Sequence, residues 1–124
     1  MMNNLRLYAA TALILIWLPT ATSAQSIDQS VYYKLSTQFR GSGMKLDVFN
    51  DNLTRLETDQ DVSGQFWKFV ANDEGTFRLS TLFLGPDMCL DIFNGGPNNN
   101  QPHLTKCANV SGQLWVLTKT DKRM

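Results

Sequence analysis

The chain has 124 residues, with 11 Lys+Arg balanced by 11 Asp+Glu and a single histidine. A formal net charge of zero offers no basic field for nucleic acid or an anionic membrane surface. Two cysteines without a Cys-x-x-Cys spacing argue against a zinc site, and neither Gly-x-Ser-x-Gly, His-Glu-x-x-His nor a phosphate loop occurs, so the expectation is a non-enzyme without cofactor or metal.

The N-terminus reads as a leader. Arg6 precedes the apolar run Leu7 to Leu18, which is long enough for a signal-peptide core but too short to span a bilayer. Pro19 ends the run, and Thr22 and Ala24 suit the −3 and −1 positions of a signal peptidase site. Residues 1–24 are therefore expected to be a signal peptide, and 25–124 a single exported domain, secreted, extracellular or periplasmic. No second apolar stretch could span a membrane after the leader is removed. Cys89 and Cys107 both lie in the exported part, where a disulfide is expected, two buried free thiols being the alternative.

The rest of the chain is written twice. Residues 32–70 form one copy and 76–118 the other. The first halves match at an offset of 44, pairing Asp47 with Asp91, and the second halves at 48, pairing Gln65 with Gln113. Four extra residues, Gly95 to Asn98, account for the difference. In chain order each copy predicts a strand ("YYKLSTQF", "TFRLSTLF"), a Gly-containing turn and a second strand ("MKLDVFN", "MCLDIFN"). A polar loop, a third strand ("LTRLET", "PHLTKC") and a closing strand ("QFWKFV", "QLWVLT") follow. Eight short strands with no helical periodicity predict an all-β fold.

A repeat of this length, with Leu-Asp-Val/Ile in one strand and Gln-x-Trp at the close, resembles the ricin B-type lectin family, a β-trefoil. The resemblance rests on "LDV" with "QFW" and "LDI" with "QLW", and covers about Tyr32 to Thr118. It implies a trefoil-like fold abbreviated to two of the usual three units, and a secreted module whose partner is a saccharide or glycoconjugate, the alternative being a trefoil-like scaffold or protein-interaction domain that has lost sugar binding. "CLDI … TKC" also resembles the disulfide found within many such units. Two units alone would leave open sheet edges, so self-association is expected.

The resemblance assigns roles residue by residue. Asp47 and Asp91 stand where the family accepts hydrogen bonds from two neighbouring sugar hydroxyls, a task that suits an ionised carboxylate. An Asp satisfying loop N–H groups is the structural alternative. Gln65 and Gln113 are chiefly structural in the family and sometimes lie beside the sugar. Asn94 and His103 are expected near Asp91 in the second unit, an ordinary surface histidine being the alternative for His103, and Arg55 stands where His103 does in the first. Trp67 and Trp115 are expected in the core. The pattern also departs from the family. Thr105 and Glu57 stand where a sugar-stacking ring would be, and Gly64 and Gly112 replace an Asn before the Gln. Lys45 and Asp59 hold the places of the two cysteines in the first unit and are expected to form an ion pair.

Overall fold

The computed structural model describes residues 26–121. The leader and its cleavage after Ala24 lie outside the described residues. Six strands form three antiparallel hairpins. β1 (Met44–Val48) pairs with β2 (Thr54–Thr58), β3 (Trp67–Ala71) with β4 (Phe77–Thr81), and β5 (Met88–Ile92) with β6 (Pro102–Lys106). Short 3-10 turns at Ser63–Gln65 and Ser111–Gln113 precede each tryptophan. Among the described residues no helix is long and apolar enough to cross a membrane.

The two copies fold alike, down to single hydrogen bonds. The β1–β2 hairpin closes with Phe49 N–H donating to Leu53 O at 3.1 Å and Asn52 N–H to Phe49 O at 2.8 Å. The β5–β6 hairpin closes with Phe93 N–H donating to Gln101 O at 3.0 Å and Asn100 N–H to Phe93 O at 2.8 Å. Asn52 and Asn100 take the same left-handed conformation, with φ of 65° and 71°. Asn tolerates that region better than most side chains do. The four extra residues are looped out between these shared bonds, where Gly95 and Gly96 supply two further positive φ angles.

β3 and β4 form the joint between the units, with Trp67 opposite Thr81 and Phe69 opposite Leu79. Each unit also closes on itself. Tyr33 exchanges two backbone hydrogen bonds with Trp67 (2.7 and 2.8 Å), and Phe77 exchanges two with Trp115 (both 2.8 Å). The inner strands therefore run in the order Tyr33 segment, β3, β4, Trp115 segment. The other two hairpins meet beneath them, where Leu104 N–H donates to Asn52 O at 2.8 Å and Thr54 Oγ1 to Pro102 O at 3.1 Å. Val48, Trp67, Phe69, Leu79, Leu90 and Leu104 form the core, with Tyr33, Phe77 and Trp115 packed against it half-buried. The fold is all-β and trefoil-like, with two units of the three.

Three expectations need correction. The first strand of unit one and the last strand of unit two are not ladders: each is reduced to one bridge, at Tyr33 and at Trp115. Both border the position where a third unit would supply pairing groups. For the same reason the tryptophans are unequal. Trp67 is fully buried, because unit two covers it, whereas Trp115 is only partly buried. The expected Lys45–Asp59 ion pair is replaced by Lys34–Asp59 at 2.5 Å. Lys34 comes from the neighbouring inner strand, also donates to Gln60 O at 2.9 Å, and lies 5.3 Å from the centre of the Phe66 ring. Its hydrogen bond holds the Asp59 carboxyl below the usual carboxylate range. Lys45 faces Glu57 across the hairpin instead.

Cys89 and Cys107 are disulfide-bonded, with Cα atoms 4.9 Å apart. The bond ties the start of β5 to the residue after β6.

Candidate functional site

Asp47 and Asp91 occupy the next-to-last positions of β1 and β5. In each unit the strand delivers the carboxylate to the 3-10 turn that precedes the tryptophan. Gln65 Nε2 donates to Asp47 Oδ2 at 3.1 Å and to Thr58 O at 3.0 Å, while its Oε1 accepts from Gln60 N–H at 3.0 Å. Gln113 Nε2 donates to Asp91 Oδ2 and to Lys106 O, both at 3.0 Å, and its Oε1 accepts from Ala108 N–H at 2.8 Å. The indole N–H of Trp67 donates to Leu46 O at 2.9 Å, and that of Trp115 to Leu90 O at 3.0 Å. Each Gln-x-Trp thus clamps the strand carrying its aspartate, one bond on either side of the Leu-Asp step.

This geometry moves Gln65 and Gln113 out of the contact surface. They are 0% and 1% exposed, and both amide hydrogens are committed internally. They hold the aspartates and do not face solvent. The two aspartates themselves diverge. Asp47 is buried, at 7% exposure, whereas Asp91 is half-buried and lines a depression of about 500 Å³. Asp91 Oδ1 accepts from Ile92 N–H at 2.7 Å and Oδ2 from Gln113. A carboxylate has about four acceptor positions, so roughly two remain for an incoming hydroxyl pair.

The depression is lined by Asp91, Phe93, Asn94 and Asn100 on the hairpin side, and by Val110, Ser111 and Gly112 on the turn side. Asn94, expected from sequence, is there. His103 is the cross-strand neighbour of Asp91, but its ring stacks on Phe93, with centroids 3.6 Å apart and planes 11° from parallel. It backs a wall of the depression and does not line it. Unit one builds the matching pair from Arg55 and Phe49, 4.0 Å apart, and ties Arg55 to Asp51 at 3.0 Å. In unit two Asn99 replaces that acid and accepts from Gly95 N–H at 2.6 Å. Asn100 was weighed from sequence only as part of the polar run Asn98 to Gln101, able to contact hydroxyls or simply a solvated loop, and Phe93 and Ser111 were not expected as contacts. Phe93 was detectable as a repeat identity with Phe49.

The glycines before each Gln have a specific cause. A Cβ on Gly112 would run into Asp91 Oδ1, and one on Gly64 into Asp47 Oδ1. The family's Asn could not stand here without displacing the carboxylate. Gly64 is the tighter of the two, because Val48 O would also lie 2.7 Å from its Cβ, and a backbone carbonyl cannot swing aside. Gly64→Ala is therefore expected to destabilise by about 1–3 kcal/mol. Gly112→Ala should cost less, since Asp91 Oδ1 is its only close neighbour and other atoms lie at 3.5 Å or beyond. Urea melts of the two variants check the order, and equal midpoints would contradict it.

No family model matches the sequence. No curated protein matches it either. Among solved structures, the chain is similar to part of the protein described in "Structure and mode of action of a mosquitocidal holotoxin". The likeness has a TM-score of 0.62 at 21% identity, and covers 78% of this chain and 12% of that chain. At that identity it carries the fold, and this chain spans only a small part of the toxin's length.

Proposed function

We propose that this chain is a carbohydrate-binding, lectin-like module of the ricin B type, exported from the cell, which recognises saccharide hydroxyls through unit two. The carrying observation is the Asp91 carboxylate, propped by Gln113 and Ile92 N–H and open to a depression with amide, hydroxyl and aromatic groups on its rim. A pair of vicinal hydroxyls fits the free acceptor positions of such a carboxylate. Asn94 and Asn100 add groups that both donate and accept, and Phe93 adds apolar surface for the sugar's C–H face. The motif resemblance and the trefoil-like fold support the same reading. The disulfide suits an oxidising compartment. The role is binding without catalysis.

Binding through one shallow site is expected on the order of millimolar, about −4 kcal/mol. Asp91→Asn exchanges a charged acceptor for a neutral amide. Hydrogen bonds to charged groups are worth about 1.5–3 kcal/mol, so roughly tenfold or greater weakening is expected. A glycan array with wild type, Asp91→Asn and Asp47→Asn checks this. Loss at Asp91 alone supports the site; binding indifferent to Asp91, or no glycan bound by wild type, rejects it.

A second reading has its own observation. In unit one the same Asp–Gln–Gly arrangement is buried and bonded internally. If unit two were used likewise, the chain would be a trefoil-like scaffold for protein interaction, and the array would stay blank.

A further inference from the structure

The two units treat one equivalent cation differently. In unit one, Lys34 donates to Gln60 O and pairs with the Asp59 carboxylate. The repeat offsets carry Lys34 to Arg78, Gln60 to Ala108 and Asp59 to Cys107. Arg78 keeps the backbone contact, its Nη2 donating to Ala108 O at 3.5 Å, and its Nη1 reaches Asn72 Oδ1 at 3.4 Å. Both bonds are long, and among the described residues no carboxylate pairs with this guanidinium. Where the acid would stand, Cys107 is drawn into the disulfide with Cys89. A pocket of about 270 Å³ opens there. Val70, Pro86 and the disulfide give it apolar walls, and Arg78 and Ser80 give it polar groups. Ser80 is only 6% exposed, and its hydroxyl makes no hydrogen bond among the described residues. Every fully buried side-chain polar atom among those residues has a partner, so the unpartnered hydroxyl is the part of Ser80 that the pocket reaches.

We propose that this pocket binds a carboxylate carried on a short apolar chain, either a small free acid or the C-terminal residue of a peptide. The carboxylate takes beside Arg78 the place that the Asp59 side chain takes beside Lys34. A guanidinium suits the task, since its planar fork offers parallel N–H groups to both oxygens. Ser80 lies two residues further along β4, on the same face, and its hydroxyl donates to one of those oxygens. Lys68 faces Ser80 across the β3–β4 ladder and adds a second cation to that face. The apolar body lies against Val70, Pro86 and the disulfide. Pockets for drug-sized ligands hold about 300–1,000 Å³, so this one takes a smaller molecule. The pocket shares no lining residue with the Asp91 depression, and the proposal stands or falls apart from sugar binding.

The test is a titration of the protein followed by amide NMR. The probes are 4-methylpentanoate, its uncharged analogue 4-methylpentanamide, and N-acetylleucine, which presents the same chain and carboxylate on a peptide bond. At least one carboxylate is expected to shift the amides of Arg78, Ser80, Cys107 and Ala108 saturably, with a Kd on the order of millimolar. The uncharged analogue should bind at least about tenfold more weakly, and Arg78→Gln should weaken the carboxylate by about as much. Arg78→Lys restores the cation that unit one uses and should stay within about threefold of wild type, while Ser80→Ala should lose about threefold. Tighter binding of N-acetylleucine than of 4-methylpentanoate assigns the pocket to a chain terminus, and the reverse order assigns it to a free acid. No saturable shift from either carboxylate by about 20 mM, equal binding of the uncharged analogue, or unchanged affinity in Arg78→Gln overturns the proposal.

Discussion

Trp67→Ala is expected to lose about 3–5 kcal/mol of stability, and Trp115→Ala distinctly less. The two residues are equivalent in sequence and hydrogen bonding, so the difference isolates packing. Trp67 is fully buried, in a core built from both units, and its indole donates to Leu46 O. Truncation there opens a cavity and strips a partly buried carbonyl of its partner, two costs that add. Trp115 donates equally well, to Leu90 O, but part of its ring faces solvent. Its removal forfeits less buried area, and water can fill the space. Small domains have a total stability of about 5–15 kcal/mol, so Trp67→Ala is expected to be largely unfolded in mild urea while Trp115→Ala still melts cooperatively. Urea unfolding followed by far-UV circular dichroism distinguishes them.

That comparison also shows which parts of the structure were legible in sequence. Strand positions and the place of the four extra residues followed from the repeat, because one pattern written twice cancels accidental alternation. The near-identical hydrogen-bond sets around Asp47 and Asp91 are the physical form of that redundancy. What the repeat could not convey is where equivalence ends. Tyr33 and Trp115 sit in strand-like sequence but form only single bridges, since pairing depends on a neighbour and not on the strand's own residues. The Lys45–Asp59 expectation failed for a related reason. It carried a pairing from one unit to the other within a hairpin, whereas the long Lys34 side chain reaches Asp59 from a different strand. At the site, Asp91 and Asn94 were found by motif. Asn100 was visible only as one of a polar run, and Phe93 and Ser111 were not expected, because these residues converge through a left-handed Asn and a 3-10 turn whose geometry is set by the loop. The Gln-x-Trp pair proved to be internal bracing, and Gly64 and Gly112, which departed from the family's pattern, proved to be fitted to the carboxylates they touch.

Removing the disulfide, as Cys89→Ser with Cys107→Ser, is expected to cost about 3 kcal/mol, the loop-closure contribution for a bridge of this span. The sequence separation is 18 residues, which encloses the β5–β6 hairpin apart from Met88, together with its looped-out tip. The loss should fall unevenly. Unit one holds the equivalent place without a covalent bond: Asp59 N–H donates to Gly43 O at 3.0 Å, as Cys107 N–H donates to Asp87 O at 2.9 Å. The backbone closure of unit two therefore survives in the double variant, but its hairpin has a longer, glycine-rich tip and loses the constraint on the unfolded chain. Hydrogen exchange is expected to show lost protection in β5 and β6 and retained protection in β1 and β2. On the proposed function, glycan affinity should fall less than stability does, because Asp91 accepts from Gln113 and its strand from Trp115, neither of which the bridge holds. Uniform loss of protection across both units would mean instead that the hairpins unfold as one cooperative block, with the disulfide acting on the whole core.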